Sequence, residues 1–185
     1  MSLFHLVDQK NAPKELKLIV EIARGGFVKY EYNHKYGILE VDRVLYGPVH
    51  YPVVYCDVPQ TWNKHDGDPL DAVVYTSGDI VPGCLITGKV IGVMEMIDNG
   101  EQDSKIICVN AKDPRYNHIN TIDDLPVWEL KDLKTFMETY KYAQTGPGTI
   151  QIPGFKGTKD AYKLIEESMA EYKKKFPQGI ATISL

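Results

Sequence analysis

Cysteine is scarce: the 185 residues hold three, Cys56, Cys84 and Cys108, each more than twenty positions from the next. That spacing excludes a disulfide framework and the close Cys pairs of a structural zinc site, and it predicts small buried hydrophobes instead. A bound metal is then expected to sit among oxygen ligands. Long apolar runs are missing as well. The richest stretch, Ile80 to Met96, is interrupted by Pro82, Lys89 and Glu95, so no spanning helix is expected. Basic charge is not in excess: 21 Lys and Arg against 25 Asp and Glu leave a net charge of −4, with no electrostatic footprint for nucleic acid or an anionic membrane. Met1 to Lys10 carries Asp8 and lacks a basic region followed by an apolar core, so no signal peptide is read there and the cytoplasm is the expected compartment. Hydrophobic residues at 43 % and charged residues at 25 % are ordinary proportions that exclude disorder and collagen-like architecture. The length fits one domain over residues 1–185, with 177–185 as a loose tail.

From Lys17 to about Asn110, short β-branched or aromatic runs alternate with Gly, Pro and Asp clusters. Strands are expected at Lys17–Ile22, Phe27–Asn33, Ile38–Arg43, Val53–Val58, Ala72–Tyr75, Leu85–Met94 and Lys105–Val109. After residue 120 the period changes: Leu130, Leu133, Phe136, Met137 and Tyr140 recur at three and four, predicting a helix from Val127 to Tyr140 with Pro126 in its first turn. A short strand, Thr149–Ile152, precedes a second helix capped by Thr158, whose apolar face runs from Ala161 to Phe176 and whose last turn carries Lys173, Lys174 and Lys175. Strands first and helices last predict an α+β fold without βαβ alternation.

The densest acidic feature is Asp66-Gly67-Asp68-Pro69-Leu70-Asp71. Carboxylates brought this close repel one another unless a cation sits among them. Taken alone, the segment also reads as a solvated acidic turn. It is no EF-hand, because Asp71 stands where that loop needs Gly and Ser77 where it needs a bidentate acid. A second acidic stretch, Asp98 to Lys105, bridges two expected strands, and its Asn99-Gly100 pair is a hairpin turn signal. Period two places Lys29 and Glu31 on one face of their strand and Val28, Tyr30 and Tyr32 on the other. If the Val28 face is the core, Lys29 and Glu31 merely face solvent. Arg43, the Tyr51 and Tyr55 pair and Tyr140-Lys141 have equally plain readings as a surface ion pair, aromatic packing and a helix end. His34, His50, His65 and His118 are read as structural or surface groups, since an oxygen-rich site favours a hard cation.

Together these segments place cation ligands, Lys and Arg groups suited to phosphate and hydroxyl donors on one small β domain. The chain resembles the family I soluble inorganic pyrophosphatases, through Glu21 with Lys29-Tyr30-Glu31, Val41-Asp42-Arg43, Tyr51-Pro52 with Tyr55, Asp66-Gly67-Asp68-Pro69-Leu70-Asp71, Asp98 with Asp103 and Lys105, and Tyr140-Lys141. The match spans almost the whole chain in order, and the Asp-rich segment is the family's signature. The resemblance implies an OB-like five-stranded β-barrel with additional short strands and two main helices in the C-terminal third. It implies hydrolysis of pyrophosphate to two phosphates by direct attack of water, with Mg²⁺ as cofactor and Mn²⁺ or another divalent ion as a substitute. Asp66, Asp71, Asp98, Asp103 and Glu31 would hold the metals, and Asp68 would be the general base. Lys29, Arg43, Tyr55, Lys105, Tyr140 and Lys141 would grip the phosphoryl groups, with Glu21 and Tyr51 supporting the pocket. A homo-oligomer, with a hexamer favoured and the last helix contributing, is implied in the same way.

This sequence departs from the family pattern at Asn99, where many members are acidic, and in the segment from Glu21 to Lys29, which is one residue shorter than in common bacterial relatives and lacks their Pro after the Ile. Two other readings stay open. Asp66-x-Asp68 is similar to the nucleophile motif of haloacid-dehalogenase-type phosphatases, although the apolar strand that motif requires is replaced by Thr61 to His65. The Tyr-rich segments could serve an OB-type single-strand-binding module, against which the negative charge argues.

Overall fold

The computed structural model describes residues 2–177; from 178 on, the expected tail lies outside the described residues. In chain order the elements are α1 (Leu3–Leu6), β1 (Glu15–Ile22), β2 (Val28–Asn33), β3 (Ile38–Val44), β4 (Val54–Asn63), β5 (Asp68–Tyr75), β6 (Leu85–Asp98), β7 (Glu101–Gln102) and β8 (Lys105–Asn110). They are followed by α2 (Val127–Thr139), α3 (Tyr142–Thr145), β9 (Ile150–Lys156) and α4 (Thr158–Lys175). Five strands close on themselves in the order β1-β4-β5-β8-β6, with β6 returning to β1. Every neighbouring pair is antiparallel except β5 with β8. This closed mixed barrel matches the OB-like expectation, and β9 extends β6 while β2 and β3 form a separate two-stranded ribbon.

Alternation along the barrel strands sorts the apolar residues into two cores. Leu16, Leu18, Val54, Cys56, Leu70, Ala72, Val90, Ile106 and Cys108, drawn from all five strands, meet in one, closed by Ala161 and Ile165 of α4. The opposite faces present Tyr55, Val73, Met94 and Ile107 to Leu133, Phe136 and Met137 of α2. Cys56 and Cys108 are buried as expected, whereas Cys84 is exposed in the turn before β6, where no core needs its side chain.

Helix α2 begins where the periodicity placed it, with Pro126 as N-cap, just ahead of the first turn. Helix α4 departs from expectation at its start. Gly157 is the N-cap, no side chain caps it, and Thr158 is already helical, so Asp160 is the acid of the first turn that complements the dipole. Several strands run longer than their apolar patterns, because hairpin pairing carries the ladder into polar residues: β4 and β5 pair as far as Asn63 with Asp68, and β6 pairs as far as Asp98 with Glu101.

Candidate active site

The hairpin joining β4 to β5 turns at Gly67, whose φ of 80° suits a residue without Cβ. Its amide donates to the Asn63 carbonyl, 3.0 Å, and the Asp68 amide donates to Asp66 Oδ1, also at 3.0 Å. Asn63 Nδ2 donates both to Asp66 Oδ2, 2.7 Å, and to the Gln102 carbonyl, 3.1 Å, tying this turn to the β6–β7 hairpin. That second hairpin turns on Asn99 and Gly100, both at positive φ, the pattern of a tight two-residue turn. Because β5 and β8 run parallel with Asp71 beside Lys105, the starts of both strands bring Asp68, Asp71, Asp103 and Lys105 to one end of the barrel.

A single cavity gathers them. Glu21, Lys29, Glu31, Tyr51, Tyr55, Asp66, Asp68, Asp71, Asp98, Asp103, Lys105, Tyr140 and Lys141 all line a space of about 370 Å³. Of the residues implied by the resemblance, Arg43 alone is not in the lining. It stands opposite Lys29 in the β2–β3 pairing, and Asp42 Oδ2 contacts both its guanidinium and, at 3.2 Å, Lys29 Nζ. Lys29 and Glu31 are therefore pocket groups in mutual contact, which overturns the plain solvent-facing reading of that strand face. The ribbon packs through its Tyr30 and Tyr32 face, which leaves the Lys29 and Glu31 face to the cavity.

Lys105 is the cationic hub. Its residue is 3 % exposed, and Nζ lies 2.5 Å from both Asp71 Oδ2 and Asp103 Oδ1. Burial alone would lower its pKa, and the two carboxylates raise it instead. Lys141 is similarly held on Asp98. Even so, these partners do not compensate all of the pocket acids. Burial, with neighbouring carboxylates, pushes Glu21 up to about 8 and Asp66 up to about 7, and raises Asp68 and Asp103 as well. Burial also drives Tyr51 and Tyr55 upward, so both hydroxyls stay protonated donors. Tyr51, Phe136 and Tyr140 form an aromatic wall, with Phe136 stacked on Tyr140 at 5.3 Å.

A hard divalent cation fits this donor set. The pocket holds more carboxylate than its lysines neutralise, the oxygens come from rigid strands, and the raised acids show what the uncompensated charge costs. Among the described residues no three such side chains already converge as a finished ligand cluster. Asp71 and Asp103 are turned onto Lys105 instead.

The model of the inorganic pyrophosphatase family matches residues 18–173. The chain belongs to that family. The inorganic pyrophosphatase of Halalkalibacterium halodurans is 40 % identical over 161 residues, covering 87 % of this chain and 97 % of that one. That of Picrophilus torridus is 38 % identical over 175 residues, covering 94 % and 97 %. The solved inorganic pyrophosphatase from Thermus thermophilus matches with a TM-score of 0.85 at 34 % identity, over 90 % of this chain and 97 % of that one. Membership makes the chain a hydrolase of the pyrophosphatase type, with a divalent metal as cofactor. Among the described residues no helix is long and apolar enough to cross a membrane.

The sequence assigns no role to several polar groups in and around the pocket of this pyrophosphatase-family chain. Asp42 was quoted without a role, yet it holds Lys29 and Arg43 together. Asn63 links the two acidic loops. Asp57, given no reading, and His34, read as a structural or surface group, line the cavity itself. The signal for Asp57 was there: it is the one charged residue in the run Val53 to Val58.

Proposed function

We propose that this protein hydrolyses inorganic pyrophosphate to two phosphates at the Asp66–Lys105 pocket. The observation that carries the reading is one cavity lined by Asp66, Asp68, Asp71 and Asp103, the last two paired with a buried lysine, with Lys29, Lys141, Tyr55 and Tyr140 on the same walls. Anionic phosphoryl groups would be gripped by Lys29, Lys105 and Lys141, by the Tyr55 and Tyr140 hydroxyls, and by Arg43 from the rim. Asp66, Asp71, Asp103, Asp98 and Glu31 would hold Mg²⁺, for which Mn²⁺ is the natural substitute. Bound Mg²⁺ supplies charge neutralisation and a more acidic water.

Asp68 is the proposed base. It sits at the hairpin end of β5 with its amide held by Asp66, lining the cavity and open to solvent. Its carboxylate takes the proton of the attacking water as oxygen bonds to one phosphorus. The bond from that phosphorus to the bridging oxygen breaks, and the second phosphate leaves with the bridging oxygen, its charge met by the lysines. Lys29 is placed for this by Glu31 and Asp42, which raise its pKa against the opposing effect of burial, so it stays cationic. Glu21 accepts the Tyr32 amide, 2.6 Å, and thereby fixes β2 against β1, while Tyr51 backs Tyr55 and Tyr140.

The deciding experiment is phosphate release from pyrophosphate by the purified protein, with Mg²⁺, with excess chelator, and with a phosphomonoester control. Mg²⁺-dependent release from pyrophosphate alone is expected. A folded sample that releases nothing with Mg²⁺ or Mn²⁺ sinks the proposal.

A further inference from the structure

The inner wall of the cavity carries a pair of groups that the pyrophosphate reading does not use. Asp57 and His34 both line the pocket, and Asp57 Oδ2 lies 3.8 Å from His34 Nδ1. Each of these atoms is buried and has no hydrogen-bond partner. Asp57 is 3 % exposed. A carboxylate oxygen sealed from water with nothing to accept is costly, on the order of 1–3 kcal/mol even before its charge is considered. The strand register adds to that cost: Asp57 on β4 stands directly opposite Asp71 on β5, and like charges facing across a ladder destabilise it. Glu21 and Asp68 add to the negative field at Asp57. The His34 ring, meanwhile, is fixed between Phe4, 4.3 Å away, and Tyr32, 5.6 Å away.

The separation is informative. At 3.8 Å the two atoms are too far apart for a hydrogen bond. Two ligands each about 2.0–2.1 Å from one tetrahedral ion stand roughly 3.4 Å apart, so a few tenths of an ångström of side-chain movement would let both atoms bind the same cation. We infer that Asp57 Oδ2 and His34 Nδ1 form a further divalent-cation subsite on the inner wall of the pocket, taking a nitrogen-accepting ion of the Zn²⁺, Co²⁺ or Mn²⁺ class. Its remaining positions go to water or to a phosphate oxygen. An imidazole ligand selects against Mg²⁺, which prefers oxygen and gives up its waters reluctantly. Burial holds the His34 ring neutral, pushed down to about 4, so a ring lone pair is available across the physiological range. Glu21 lines the same pocket, with one oxygen already committed to the Tyr32 amide. This subsite is separate from the Asp66, Asp71 and Asp103 set and does not need the pyrophosphate reading, because the ion itself is what the test measures.

The test uses the full chain saturated with Mg²⁺, so that the oxygen-rich site is filled, and titrates it with Zn²⁺. One retained Zn²⁺ per chain is expected by equilibrium dialysis, with the His34 ring nitrogen moving to a metal-bound ¹⁵N shift. Asp57→Asn and His34→Gln should each weaken Zn²⁺ retention by about tenfold or more while circular dichroism and Tm report a folded chain. The ¹⁵N measurement on the unaltered chain stands even if a variant fails to fold. A His34 nitrogen that stays at its metal-free shift, or equal Zn²⁺ retention in both folded variants, overturns the proposal. So does complete displacement of Zn²⁺ by Mg²⁺.

Discussion

The two ends of the parallel β5–β8 pair treat aspartate in opposite ways. At their starts, Asp66, Asp68 and Asp103 are raised above the ordinary carboxylate range, because burial and neighbouring acids outweigh the donors they have. Where the two strands end, Asp113 is pushed down to about 2. Its Oδ2 accepts from the Ser77 amide at 2.6 Å, the Ser77 hydroxyl at 2.7 Å and the Thr76 hydroxyl at 3.1 Å, while Oδ1 accepts from the Arg115 amide at 3.0 Å. One end is complete as it folds. The other is a concentration of charge that only something from outside the chain can satisfy, and such local conflict is expected where a fold serves a function.

The comparison is broken most directly at Asp68. If that carboxylate is the base, Asp68→Asn should lower turnover by about 10²–10⁴ while leaving Tm and the Mg²⁺ titration close to the parent's. Phosphate release by a folded variant at the parent rate would remove Asp68 from the role. Lys105→Met comes next. It strips the buried acids of their cation, so the metal-free chain should lose about 3–5 kcal/mol in urea unfolding, and Mg²⁺ should restore a larger share of stability than it adds to the parent. An identical Mg²⁺ increment in both chains would show that the lysine, and not a bound cation, is the only partner these carboxylates need.

How much of this was legible beforehand depended on whether the cause was local. The Asp66–Asp71 turn and the Asn99-Gly100 hairpin were readable because a glycine at positive φ and closely spaced acids leave a local signature. Helix α2 was readable because its buried residues, Leu133, Phe136 and Met137, keep a helical period. The parallel contact of β5 with β8, which creates the pocket, joins segments thirty residues apart and has no local signal. Residue type alone likewise could not place His34 against Asp57, set Arg43 at the rim, or leave Cys84 in the open. The family resemblance supplied the grouping of the pocket residues, because it carries long-range placement that period and spacing do not.

A pH series sharpens the contrast with a smaller effect. Glu21 is raised from an ordinary value of 4.5 to about 8, chiefly by burial. A carboxyl raised in this way contributes stability that is full below its unfolded value and lost as pH rises through its folded value. The metal-free chain should therefore lose stability between about pH 5 and 8, by at most about 1.4 kcal/mol per pH unit for one such group. Asp66, raised to about 7, acts in the same direction more weakly because it is partly open to solvent. Mg²⁺ should flatten the decline, and Glu21→Gln should remove part of it from the metal-free chain. A stability that rises from pH 5 to 8 without metal would contradict the description of the pocket as overcharged.

Asp113 gives the smallest effect and the opposite sign. A carboxyl held below its unfolded value contributes stability that is present above about pH 4 and disappears as pH falls through about 2. Asp113→Asn should therefore lower Tm by a few degrees at pH 7, since an amide offers one acceptor oxygen where the carboxylate offered two, and its NH₂ would face donors. The loss should shrink toward zero near pH 2, where the parent's own carboxyl has been protonated. Mg²⁺ affinity and turnover should not change, because the Ser77, Thr76 and Arg115 donors sit at the far ends of β5 and β8 from the cavity. A shifted Mg²⁺ requirement in this variant would mean that the two strands transmit strain along their length, and the two ends could then no longer be treated as independent.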